Sequence, residues 1–129
     1  MSGDVLAERQ RERERLIALA RTYVERLGRR TPVVAAAVAG SVARGDFNVW
    51  SDVDVVVVVQ TLPARLPDRA ALLAADAPGG VQGVGYTEPE FDRELRRGNP
   101  LVKEAVASGV ILAGEEFFRG RAHILCPPE

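Results

Sequence analysis

The chain is poor in the residues that most often carry chemistry or covalent staples: its 129 residues include one cysteine, one lysine and one histidine. The lone Cys126 excludes an internal disulfide and a multi-thiolate metal cluster, and its proline-rich surroundings read as structural or inert rather than catalytic. Lys103 falls late in the chain on an expected helix and no GxGxxG spacing occurs, so a Walker phosphate loop and a dinucleotide fingerprint are both excluded. An excess of one charge is lacking too. Lys+Arg 17 against Asp+Glu 18 leaves a formal net charge of −1, which argues against broad electrostatic binding to nucleic acid while leaving room for a local basic patch. No apolar run is long enough to span a bilayer, and the segment after Met1 is thick with Arg and Glu rather than built like a signal peptide. The cytoplasm is therefore the expected compartment.

What is present is an ordinary folded-chain composition, 47% hydrophobic and 27% charged, with no disorder signature. A mass of 13.9 kDa suits one domain over residues 1–129, with a core of its own but no room for a second substrate domain, so any site must be compact. Residues 5–27 are expected to form a helix whose apolar stripe tightens at Leu16, Ile17, Ala20, Val24 and Leu27. Its earlier half, ERQRERER, reads as a solvated face in which Arg11 meets Glu14 and Glu12 meets Arg15, although Glu8 and Glu12 repel. Gly28 ends this helix, and residues 33–39 read as a buried strand ending in glycine. A short turn or helix from Ser41 leads to Gly45 and a loop through Asn48, followed by a long strand over residues 52–59. Residues 67–75 are expected to be helical with Leu72 and Leu73 turned inward, and Pro78-Gly79-Gly80 breaks that helix. VQGVGYT supplies a third strand, about 81–86, with glycines where something approaches closely. Thr87 and Glu90 then form a capping box ahead of a helix carrying Phe91 and Leu95, and Asn99-Pro100 opens another helix, stopped by Gly109. Residues 110–113 are a short final strand or extended segment, and no regular element is expected in the tail 114–129. The fold class is α/β (α+β).

The chemistry gathers in GSVARGDFNVWSDVDVVVVVQ, residues 40–60. Side chains alternate along a strand, so Asp52 and Asp54 share one face while Val53, Val55 and Val57 take the other. Two neighbouring carboxylates repel each other and resist desolvation, and a divalent cation offsets both costs. Oxygen ligands without nearby histidine or cysteine suit Mg²⁺ or Mn²⁺, with substrate phosphates completing the shell. An isolated DxD would more simply be a solvent-exposed strand end. The five valines after Asp54 place this one at the mouth of a central strand instead. Upstream, Gly40 would let a phosphate approach the backbone, and the free N–H groups and hydroxyl at Ser41 could receive it. Ser41 could equally be a plain N-cap. Arg44 could contact phosphate, or pair with Asp46 or another carboxylate.

GSVARG followed by SDVDVVV resembles the G-S-x-x-x-G, spacer, D-x-D pattern of the polymerase-beta-like nucleotidyltransferases, and is closest to their minimal nucleotidyltransferase group. YTEPEF and NPLVKEAVASGVILAG extend the likeness over most of the chain. The resemblance implies a small mixed sheet flanked by helices, Gly40 and Ser41 as the turn that holds the triphosphate of an NTP, ATP being the expected one, and Asp52 and Asp54 as catalytic ligands of Mg²⁺ or Mn²⁺. It implies transfer of a nucleoside monophosphate to a hydroxyl acceptor. Active members carry a third carboxylate on a following strand, and here that place falls to Gln82, whose neutral amide is a poor ligand and a poorer base. Glu88 is the least implausible substitute. A transferase and a degenerate nucleotide- or partner-binding protein therefore both stay open, with a purely structural domain ranked last. The resemblance also implies a small helical HEPN-type protein as a partner, in an antitoxin-like pairing. A homodimer would suit so short a chain.

Overall fold

The structure, a computed structural model, describes residues 2–47 and 52–125; the loop position Asn48 and Cys126 lie outside them. In chain order the elements are α1 (Ser2–Gly28), β1 (Val33–Ala39), α2 (Gly40–Arg44), β2 (Val53–Val59), α3 (Leu66–Ala74), β3 (Val81–Thr87), α4 (Glu88–Arg97), α5 (Pro100–Ser108), β4 (Val110–Ala113), α6 (Glu115–Arg119) and α7 (Ala122–Leu125). The strands form a four-stranded sheet of order β3-β2-β1-β4, in which β1 runs antiparallel to β2 and β4 while β3 runs parallel to β2. This is the mixed sheet flanked by helices expected of the sequence. The tail differs: a regular element begins at Glu115, because Phe117 and Phe118 pack against Phe91 at 5.2 and 6.1 Å between ring centroids and fold α6 back onto the sheet. No helix among the described residues is long and apolar enough to cross a membrane.

Both faces of β2 are covered, which is why its sequence is a nearly unbroken run of valine. Val53, Val55, Val57 and Val59 face the layer built by α1, α2 and α3, where Leu16, Ala20, Tyr23, Leu27, Val42 and Leu73 are buried. Val56 and Val58 face the opposite layer, with Phe91, Leu95, Val102, Ala105 and Phe118 of α4, α5 and α6. The parity of Val56 and Val58 is also that of Asp54, so Asp54 belongs to the second face, at the point where β2 begins.

The glycines of β3 admit residues from the first layer. A Cβ at Gly83 would collide with the Tyr23 ring and hydroxyl, and one at Gly85 would stand 2.7 Å from Leu73 Cδ2. The Tyr23 hydroxyl donates to the Leu73 carbonyl at 2.7 Å, and burial pushes its phenol up to about 12, so it stays a donor at any ordinary pH. Gly83→Ala is expected to lower stability by about 1–3 kcal/mol, the usual cost of overpacking a filled core, as a smaller urea midpoint at constant m. An unchanged midpoint would mean that Tyr23 is not fixed against the sheet.

Two caps set the helices on the second face. The Thr87 N–H donates to Glu90 Oε1 at 2.8 Å, closing the expected capping box, and Arg69 Nη1 pairs with Glu90 Oε2 at 2.9 Å. Asn99 Oδ1 accepts from the N–H groups of Leu101 and Val102 at 3.1 and 3.3 Å, which starts α5 and aims it across β1 toward α2.

Candidate functional site

β1 and β2 are antiparallel, so the last residue of β1, Ala39, pairs with Asp54 near the start of β2. The chain then turns at Gly40, whose φ of +76° lies in the left-handed region, and the same residue is pressed against Asp54: a Cβ there would stand 2.5 Å from Asp54 Oδ2. The turn at Gly40 and Asp54, 14 residues apart in sequence, are thus packed directly against each other. The alternative that Ser41 is an N-cap does not hold. Ala39 is the N-cap of α2 and Ser41 is its second residue, so the Ser41 side chain lies on the first turn of the helix and its carbonyl accepts from Gly45 and Asp46 at 2.9 and 3.1 Å.

Asp54 is partly buried and Asp52, just ahead of β2, is exposed. Burial, then the neighbouring carboxylates of Asp52 and Glu104, hold the Asp54 carboxyl above its usual range, with Arg44 acting weakly the other way. Among the described residues, no group of three or more His, Cys, Asp or Glu side chains is arranged to hold a metal ion. Asp52 and Asp54 stand as a pair. The third position expected on the sheet is occupied by Gln82, which is the direct partner of Asp54 in the parallel β2–β3 register and presents its side chain on the same face. Glu88 does not stand in for it. It lies six residues further along, roughly 20 Å at the rise of a strand, beyond the opposite end of β3, and is paired with Arg121 at 2.9 Å.

Glu104 is the residue that sequence reasoning missed. From α5 its Oε2 accepts the Gly40 N–H at 3.1 Å, and its Oε1 meets Arg44 Nη1 at 2.8 Å. Arg44 also pairs with Asp46 at 3.1 Å, so of the two alternatives for this arginine the ion pair is the one present. Nothing local in PLVKEAVAS marks Glu104, because its partner lies 64 residues upstream.

The arginine-rich half of α1 is likewise not just a solvated face. Arg13 donates from Nε to the Val42 carbonyl and from Nη2 to that of Ala43, at 3.0 and 3.1 Å. Arg9 Nη2 donates to the carbonyls of Gly45 and Phe47, at 3.1 and 2.7 Å. These cations satisfy the last carbonyls of α2 and the turn that follows, where the helix end is partially negative. A signal for this does exist: Arg9 and Arg13 continue, at spacings of four and three, the buried stripe Leu16, Ala20, Tyr23, Leu27.

Residues 20–109 match the family described as "Nucleotidyltransferase domain", a span that includes the turn, the acid pair, β3 and α5. The chain belongs to the nucleotidyltransferase-domain family. A crystal structure of a Sulfolobus solfataricus protein assigned as a nucleotidyltransferase superimposes with a TM-score of 0.59 and 28% sequence identity, over 66% of this chain and 78% of that one. Comparison with curated proteins found no match. For a nucleotidyltransferase domain the matched span begins after Arg9 and Arg13, so the clamp on α2 comes from outside it.

Proposed function

We propose that residues 1–129 act as one nucleotidyltransferase domain that binds a nucleoside triphosphate, ATP in the first instance, with Mg²⁺ or Mn²⁺, and transfers its nucleoside monophosphate to a hydroxyl acceptor. The observation that supports this most is the packing of Gly40 on Asp54: the turn that would receive phosphate and the acids that would receive metal meet at one point, where only glycine fits. The donor set suits a hard cation, since Asp52 and Asp54 offer carboxylate oxygens and the two leave most of the shell to phosphate and water. When bound, the ion would neutralise phosphate charge and polarise the phosphorus–oxygen bonds under attack. In this reading Gly40 admits phosphate to the backbone, Ser41 offers its N–H and hydroxyl, and Arg44 adds a guanidinium from the end of α2. The proposed acceptor is a protein, a cytoplasmic HEPN-type partner, and a homodimer is proposed for the domain itself. Gln82 in register with Asp54 favours a second reading, a degenerate member that binds nucleotide or partner without efficient turnover.

Calorimetric titration of the folded protein with ATP, GTP, CTP and UTP, each with and without Mg²⁺, tests both readings. Binding of at least one, strengthened by Mg²⁺, is expected. Absence of binding to all four overturns transferase and nucleotide-binding member alike.

A further inference from the structure

We infer that Glu104 tunes the phosphate affinity of the Gly40 turn by standing where a phosphate oxygen would, so that an incoming triphosphate must displace its carboxylate. This rests on the reading of the turn as a nucleotide phosphate site. Two donors at the turn, the Gly40 N–H and the Arg44 guanidinium assigned to phosphate, are both engaged by the same side chain, at 3.1 Å to Oε2 and 2.8 Å to Oε1. Charge-assisted contacts of this kind are among the stronger hydrogen bonds in proteins. At 17% exposure this carboxylate is also far less solvated than that of a surface pair. An anion bound at the turn and the Glu104 carboxylate would therefore contend for the same hydrogen-bond donors, and would repel each other if both stayed.

The surroundings allow such an exchange. α5 is anchored independently by buried Val102 and Ala105 and by the Asn99 cap, so the helix can remain while the long Glu104 side chain changes rotamer. Arg44 keeps Asp46 as a partner at 3.1 Å when Glu104 leaves, and stays close to the turn. Asp54 on the other side of Gly40 cannot make the same move, because its short side chain is set by the strand. Glu104 is thus the removable negative charge of the turn. It would discriminate against weakly held anions, which cannot repay the loss of its contacts, and in favour of a polyphosphate that engages several donors at once.

The test titrates ATP with Mg²⁺, and inorganic tripolyphosphate without metal, into wild type, Glu104→Ala and Glu104→Gln, with thermal melts to establish that each protein is folded. Removing a charged competitor for shared hydrogen bonds should tighten binding of both probes roughly tenfold in Glu104→Ala, with Glu104→Gln shifted in the same direction. The isosteric glutamine keeps the question answerable should alanine unfold the protein. Wild type that binds ATP while folded variants bind equally or more weakly overturns the inference alone. If no protein of the series binds ATP although all are folded, the nucleotide reading itself fails, and the inference with it.

Discussion

Gln82→Asp should raise the rate of nucleotidyl transfer by about 10²-fold or more, because proton abstraction by a positioned base is typically worth 10²–10⁴-fold. The reason is geometric. Gln82 and Asp54 are direct partners across β2 and β3, in strands separated by roughly 4.8 Å, so a carboxylate at position 82 would join Asp54 on one face. The wild-type amide can accept a hydrogen bond but cannot take up the proton of an acceptor hydroxyl. Nor would the substitution disturb the core, since residue 82 is exposed on the edge strand. Label transfer from α-³²P nucleotides to protein and small hydroxyl acceptors, run with Mg²⁺ and with Mn²⁺, measures the gain, and Glu88→Gln serves as a control that should change nothing. Fast transfer by wild type that Gln82→Asp leaves unaltered would show that the reaction needs no carboxylate at this position. Fast transfer that Glu88→Gln abolishes would require a rearrangement of β3 and α4 that the fold gives no reason to expect.

The parts of this molecule that could be read in advance are those encoded by local pattern. The valine run of β2, the capping box at Thr87 and Glu90, and the Gly-Ser turn ahead of the acids each announce themselves within a few residues, since period, cap and turn chemistry act over one or two turns of chain. Even the glycines of β3 carried a correct hint of close approach, though only the fold identifies Tyr23 and Leu73 as what approaches. Contacts between distant segments were illegible. The Glu104 carboxylate reaches Gly40 because α5 crosses the end of β1, a consequence of sheet order that no window of sequence contains. Arg9 and Arg13 were misjudged for a different reason. Charged residues in a helix are usually solvated, and that expectation overrode their alignment with the apolar stripe, where they satisfy four carbonyls of α2 and its following turn.

Asp54→Asn should weaken Mg²⁺-dependent nucleotide binding by roughly a hundredfold, since loss of partners that only orient metal ligands already costs 10–100-fold in metal affinity. The apo protein, in contrast, should be as stable as wild type or more so. Ionised Asp54 is disfavoured in the fold by burial and by the Asp52 and Glu104 carboxylates, so its pKa is higher folded than unfolded. The sign follows from linkage: below the unfolded value both states are protonated and no cost appears, and as pH rises through the interval up to the raised folded value the native state loses stability. Asparagine keeps the shape and removes the charge, so its advantage over wild type should be absent in acid and grow across that interval to a plateau at neutral pH. Thermal melts of both proteins in EDTA over that range, repeated at pH 7 with saturating Mg²⁺ and ATP, separate the two effects, because ligand binding should raise the variant's midpoint by clearly less than it raises that of wild type. A large drop in apo midpoint for Asp54→Asn with unchanged nucleotide affinity would instead make Asp54 a scaffold residue, held at the start of β2 for its contact with Gly40 rather than for any ion.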